Sequence, residues 1–155
     1  MKAEELPNKL DQAANAFAEL FANAPQVASQ EVLGSYLQRI FNSGLNTNGT
    51  QIGQYAGSGS KSKGRYKAKR NEAGLRIDKV DLQFSGDLFR SIDTGTLGAD
   101  SVLGFTNTER KQVADHLEKR YGDVFTASKE EQEEAKELMI QYIEEGTSEI
   151  LKRLF

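Results

Sequence analysis

Apolar residues recur along the first third of the chain at spacings of three and four. Leu10, Ala14, Phe17, Phe21, Ala24 and Ala28 form one stripe, and Leu33, Tyr36, Leu37, Ile40 and Phe41 continue it in similar phase. Pro25 interrupts the run. The spacing therefore predicts a kinked pair of helices, the first ending at Asn23 or Ala24 and the second carrying Pro25 in its first turn. Asn42-Ser43-Gly44 stops the pattern. Residues 43–74 then set Gly44, Gly49, Gly53, Gly57, Gly59, Gly64 and Gly74 among Asn, Ser and Thr. That composition predicts a long loop projecting from a single domain spanning residues 1–155.

Period two takes over next. Leu75 and Ile77 alternate with charges, and Val80, Leu82 and Phe84 do the same one residue out of phase, which predicts a strand with a bulge or bend near Asp78-Lys79. Ser85-Gly86 turns the chain, and Leu88, Phe89 and Ile92 are expected to face a core from a short turn or strand. Val102, Leu103 and Phe105 mark another strand from Ser101 to Phe105, completing a small antiparallel sheet. Two helices follow. The first is capped near Asn107 or Thr108, buries Val113, Ala114, Leu117 and Tyr121, and stops at Gly122 in the C′ position. The second opens with a capping box, Ser128-Lys129-Glu130-Glu131, and buries Ala135, Leu138, Met139, Tyr142, Ile143, Ile150, Leu151 and Leu154. The fold class is α+β: N-terminal kinked helix, long basic loop, small antiparallel sheet, two C-terminal helices.

Composition changes this picture in two ways. Only 37% of residues are hydrophobic and 28% are charged, so the core is modest and the chain is expected to gain burial from partners. The chain has no cysteine, which excludes disulfides and thiolate metal sites. No apolar run approaches the roughly 18 residues of a membrane helix, and nothing reads as a signal peptide, so no membrane partner is expected. The net charge of −3 conceals a segregation: residues 42–71 carry +6 without one acid, whereas residues 123–155 carry −5. Such asymmetry marks contact with a polyanion or with an acidic neighbouring surface.

Candidate chemistry is sparse. His116 is the only histidine, flanked by Asp115 on a surface-type helix, with no second histidine or cysteine to build a triad or metal site. The acidic run Glu130-Glu131-Gln132-Glu133-Glu134 sits at a helix start, where the helix dipole and solvent account for it. The Gly-rich segment fails as a phosphate loop because Lys61-Ser62 is preceded by Ser60, and it fails as a dinucleotide motif because Gly57 and Gly59 lead only to Lys and Ser before Gly64. No catalytic, cofactor-binding or metal site is expected. What remains is the basic segment Lys61, Lys63, Arg65, Lys67, Lys69 and Arg70, with Tyr55 and Tyr66 near it. Three readings stay open for it: phosphates of DNA, an acidic neighbour such as the C-terminal helix of an adjacent subunit, or a solvated loop with incidental charge.

Three ordered motifs carry a resemblance. Asn48-Gly49-x-x-Ile52-Gly53-x-Tyr55 is a short glycine–tyrosine signature leading into a basic loop. Val80-Asp81-Leu82-x-Phe84-Ser85-Gly86-Asp87-Leu88-x-x-Ser91-Ile92 is a strand followed by [ST]-G-x-[LM]-x-x-S. Tyr121-Gly122-x-x-Phe125-x-x-Ser128-x-x-Glu131 is a Tyr-Gly turn before an aromatic residue and a capped final helix. In this order the chain, over residues 38–155, resembles the tail-completion, virion-morphogenesis and head–tail joining proteins of long-tailed double-stranded DNA phages, Bacteroidetes-phage type. The resemblance implies a non-enzymatic α+β subunit of the phage neck, assembled with copies of itself into a ring between portal and tail around the DNA channel. It implies portal or head-completion and tail-tube proteins as partners, a location in the virion, and synthesis in the host bacterial cytoplasm. Many members carry a glutamate–glycine pair and an Arg-Pro-Phe element near the later motif. Here Arg120-Tyr121-Gly122-Asp123-Val124-Phe125 has no proline, which leaves the place within the neck open. The alternative is a sequence-independent nucleic-acid-binding accessory protein acting outside the virion.

Overall fold

In the computed structural model, residues 5–55, 63–83, 85–97 and 100–154 are described. The chain opens with α1 (Leu6–Leu37), a single helix that carries Pro25 in its interior. The pair of helices expected on either side of Pro25 is thus one element. Proline removes one helical hydrogen bond, and packing on both sides of it holds the helix together. A π-helical turn (Gln38–Ser43) extends it and stops at Gly44, whose φ is 65°. A Cβ there would meet the Val80 carbonyl oxygen at 2.6 Å, so backbone passes close to backbone at this point. Residues 44–52 form a small hairpin turn bridged at Leu45 and Gln51.

The buried edge of α1 runs through Ala13, Leu20, Ala24, Ala28, Val32 and Tyr36, and Ile40 prolongs it. This differs from the expected stripe at its start. Leu10 and Phe21 are more than half exposed, and Leu20 takes the inward place. The reason is α5 (Lys129–Leu154). It runs antiparallel to α1, with Glu131 beside Arg39, Glu134 beside Ser35 and Gly146 beside Leu20. Small residues at Ala24 and Ala28 let helix backbones approach. On α5, Ala135, Leu138, Met139, Tyr142, Ile143 and Ile150 are half-buried and Leu154 is buried, while Leu151 is exposed, against expectation.

Along the chain, the smaller elements lie between the two long helices. Asp87–Arg90 form the one-turn α3, and β1 (Ile92–Leu97) pairs antiparallel with β2 (Asp100–Phe105), Ile92 opposite Phe105. The hairpin packs on α1, where the Ser29 and Ser101 hydroxyls meet at 2.5 Å. The helix α4 (Thr108–Tyr121) starts where the Asn107 side chain accepts from the Glu109 and Arg110 amides, and it ends at Gly122. Ala114 is buried on it, but Val113 is exposed. One cluster joins these parts: Tyr36, Ile40, Phe41, Ile52, Val80, Leu88, Ile92, Ala114 and Val124. The architecture is α+β, as the periodicities predict.

Two expectations fail here. Residues 63–72, placed in the loop, form the helix α2 (Lys63–Glu72). Residues 75–83, placed in a strand, have no regular structure, although their alternation does set burial at Val80. Phe84 and Lys61 lie outside the described residues.

A Cβ at Gly146 would run into the side-chain carbons of Leu20. Gly146→Ala should therefore destabilise the protein, although alanine is favoured over glycine by about 1 kcal/mol inside a helix. In a Leu20→Ala background, which itself costs about 2–5 kcal/mol, the same substitution should become stabilising. Urea denaturation of the four variants in the cycle reads that reversal of sign.

Candidate functional site

The basic segment predicted from sequence is half of a site built around one buried arginine. On α2, Arg65 and Lys69 are exposed and Lys67 is half-buried, but Arg70 is fully buried. The guanidinium of Arg70 donates to the Asp81 carboxylate at 2.7 Å, to the Arg76 carbonyl at 2.8 Å and to the Gln83 carbonyl. Its Cζ lies 4.3 Å from the Tyr55 ring centroid and 6.0 Å from that of Tyr66. Arg70 is therefore a strut and not a DNA- or partner-facing cation. It stands one helical turn after Tyr66, so the pair forms the inner edge of α2.

Asp81 collects the rest of the network. It accepts from the Tyr55 hydroxyl at 3.0 Å and from the Gln83 amide at 3.1 Å. Burial, the largest influence, pushes the Tyr55 phenol above its usual range, so it stays a neutral donor to that carboxylate. Between Asp81 and Gln83, Leu82 adopts a left-handed backbone with φ 54°, an uncommon conformation for a branched residue. The anchors on both sides over-determine it.

A second arginine joins the helix ends. Arg39 grips Glu131 through both carboxylate oxygens at 2.7 and 3.2 Å, and donates to the carbonyls of Leu45, Val124 and Thr126. Glu131 also accepts from the Ser128 amide at 2.8 Å, and the Ser128 hydroxyl accepts from the Glu131 amide, which completes the predicted capping box.

The motif residues come together around these two arginines. Gly53 accepts from the Val80 amide at 2.9 Å, and a Cβ there would touch the Tyr121 ring and the Val80 side chain at 3.9 Å. Phe125 stacks edge-on against Phe105, and its carbonyl accepts from the Tyr36 hydroxyl at 2.6 Å. Gly86 has φ 76° where α3 begins, Leu88 is buried, and the Ser91 hydroxyl donates to the Leu88 carbonyl. Gly122 closes α4. His116 sits on the surface with Nδ1 2.7 Å from the Gln112 carbonyl. Arg39 and Gln83 went unremarked in the sequence, and Asp81 entered only as a motif position. The one signal was a charged residue adjoining the apolar periods at Tyr36-Ile40 and Val80-Leu82.

Beside α2 opens a cleft of about 650 Å³. Tyr55, Tyr66, Leu82, Leu88 and Leu117 line it, and α4 sets Arg110 and Arg120 along it. Arg110 reaches Asp87 at 3.3 Å, and Arg120 stands over the Tyr121 ring. The lining is mixed, with apolar side chains beside Gln54, Ser85 and the two arginines. Among the described residues, no cluster of three His, Asp or Glu side chains is placed to hold a metal ion, and no helix is long and apolar enough to cross a membrane. No protein-family model, no curated protein and no solved structure matches the chain.

Arg70→Ala leaves Asp81 buried without its counter-charge and should cost about 3–5 kcal/mol. Tyr55→Phe, which removes one hydrogen bond, should cost about 1 kcal/mol. Denaturant midpoints compare the two. Equal costs would show that the ion pair adds nothing beyond the phenol.

The Ser85 hydroxyl, first, and Arg90 hold the Asp87 carboxyl below the usual carboxylate range. Its folded value is depressed, so its contribution to stability is present above the ordinary range and lost as pH falls through the lower folded value. Carbon-detected NMR titration should place Asp87 below an ordinary aspartate, and Ser85→Ala should move it back up.

Proposed function

We propose that the protein is a non-enzymatic structural subunit of the neck of a long-tailed double-stranded DNA phage, a tail-completion or head–tail joining protein. It works as one copy in a homo-oligomeric ring between portal and tail. The observation that carries this reading is the meeting of the three motif segments. Gly53-x-Tyr55, Val80–Ile92 and Tyr121–Glu131 lie far apart in sequence, yet the first two bond to each other and all three share one core. Residues that carry the resemblance thus hold structure, as a scaffold subunit requires.

Unfinished burial supports the same reading. Leu10, Phe21, Leu97, Ile140 and Leu151 are exposed large apolar side chains on a chain with a modest core. Such side chains are the material of subunit contacts. The exposed cations of α2 favour the second reading, a sequence-independent nucleic-acid-binding protein acting outside the virion.

Mass spectrometry of purified virions should find the protein in fixed stoichiometry. Its absence from mature particles sinks the neck reading. Replacing Lys61, Lys63, Arg65, Lys67 and Lys69 by serine or glutamine, with Arg70 kept, should leave the thermal midpoint nearly unchanged. The same change should reduce DNA retention or neck assembly. Normal assembly, genome retention and infection would show that these charges are incidental.

A further inference from the structure

We propose that α2 of one copy docks along the outer edge of α5 of a second copy, so that subunits join head to tail through opposite charge. The inference rests on the ring reading and names its contact. On α5, Glu133, Glu137, Ile140, Glu144 and Leu151 recur at helical spacing along one exposed edge. Ile140 is 54% exposed and Leu151 is 46% exposed, so apolar surface alternates with carboxylates there. The packing of α5 within its own chain goes to α1, on the opposite side.

The outer edge of α2 is its complement. Arg65 and Lys69 stand one turn apart and exposed, while Arg70 and the segment behind it fix the helix from the inner side. The lengths agree: ten residues of α2 span about 15 Å, and Glu133 to Glu144 spans about 16 Å. Among the described residues, none of Arg65, Lys67, Lys69, Glu137 and Glu144 makes an ion pair, and Glu133 pairs only with the nearby Lys136. The methylene stems of arginine and lysine would cover Ile140 while their charged ends reach the glutamates.

A second copy is favoured over nucleic acid because one contact answers both surfaces. DNA on α2 would leave the acidic, partly apolar edge of α5 without a counterpart. The two surfaces differ, so the contact is heterologous, and repetition closes a ring when the rotation allows.

Sedimentation of the full chain at low salt should show concentration-dependent self-association that added salt weakens. Arg65→Glu with Lys69→Glu, and separately Glu133→Lys with Glu137→Lys, should each weaken it by more than about tenfold. An equimolar mixture of the two variants should associate again, since each reversed surface then finds its opposite. Should a reversed variant fail to fold, Lys69→Cys and Glu137→Cys serve in this cysteine-free chain. Mixed and oxidised, they should form a disulfide-linked heterodimer, and neither should form one alone. A wild-type chain that stays monomeric, reversed variants that associate as wild type does, or a mixture without recovery each overturn the proposal. Loss of duplex-DNA binding with unchanged self-association overturns it too, and assigns α2 to nucleic acid. A protein present in virions that fails these tests keeps the neck reading and loses only this interface.

Discussion

The guanidinium of Arg39 is the point on which the long helices depend. Five hydrogen bonds leave it, and they reach four residues in three stretches of chain: the turn after α1, the two carbonyls before α5, and the first turn of α5 itself. Glu131 answers it while also completing the cap of its own helix. One carboxylate therefore fixes where α5 starts and which residue of the π-helical turn after α1 it starts against. From there the antiparallel course sets Glu134 against Ser35 and Gly146 against Leu20. A local capping signal becomes a long-range constraint because its glutamate is shared.

Arg70 plays a comparable part for the irregular segment 75–83, and it shows why that segment misleads a reader of sequence. The alternation Leu75, Ile77, Val80, Leu82 is a strand pattern, but a strand needs a partner to satisfy its backbone. Here side chains take that place. Arg70 answers the carbonyls of Arg76 and Gln83, Asp81 answers the Gln83 amide, and the Val80 amide finds Gly53. Periodicity reported burial and could not report who supplies the hydrogen bonds. The helix at 63–72 escaped for a related reason: its buried residue is an arginine, and its only aromatic is Tyr66. A search for apolar stripes has nothing to find there.

What was legible is equally specific. Asn107, Gly122 and the pair Ser128–Glu131 act through backbone geometry that depends on a few neighbouring residues, so their roles follow from sequence alone. The strand at Ser101–Phe105 was recoverable because alternation and pairing coincide there. The phase of α1 was not, because Leu20 and Phe21 are equally apolar and only the position of α5 decides between them. Charge segregation was legible as a fact, but its division into one internal strut and an exposed edge required the fold.

Pro25 has a consequence for motion. It has no amide hydrogen, so the Phe21 carbonyl lacks its usual helical donor at the boundary between two unequal halves of α1. Beyond that boundary, Ala28, Val32 and Tyr36 belong to a continuously enclosed edge; before it, burial at Ala13, Leu20 and Ala24 alternates with Leu6, Leu10 and Phe21, which face solvent. Opening that starts at the first residue has only the packing on α5 to break before Pro25, and it meets the shared core beyond it. Amide hydrogens of the leading half exchange through this partial unfolding, whereas those of the trailing half wait for the core to open. The helix is one element in shape and two in its timing.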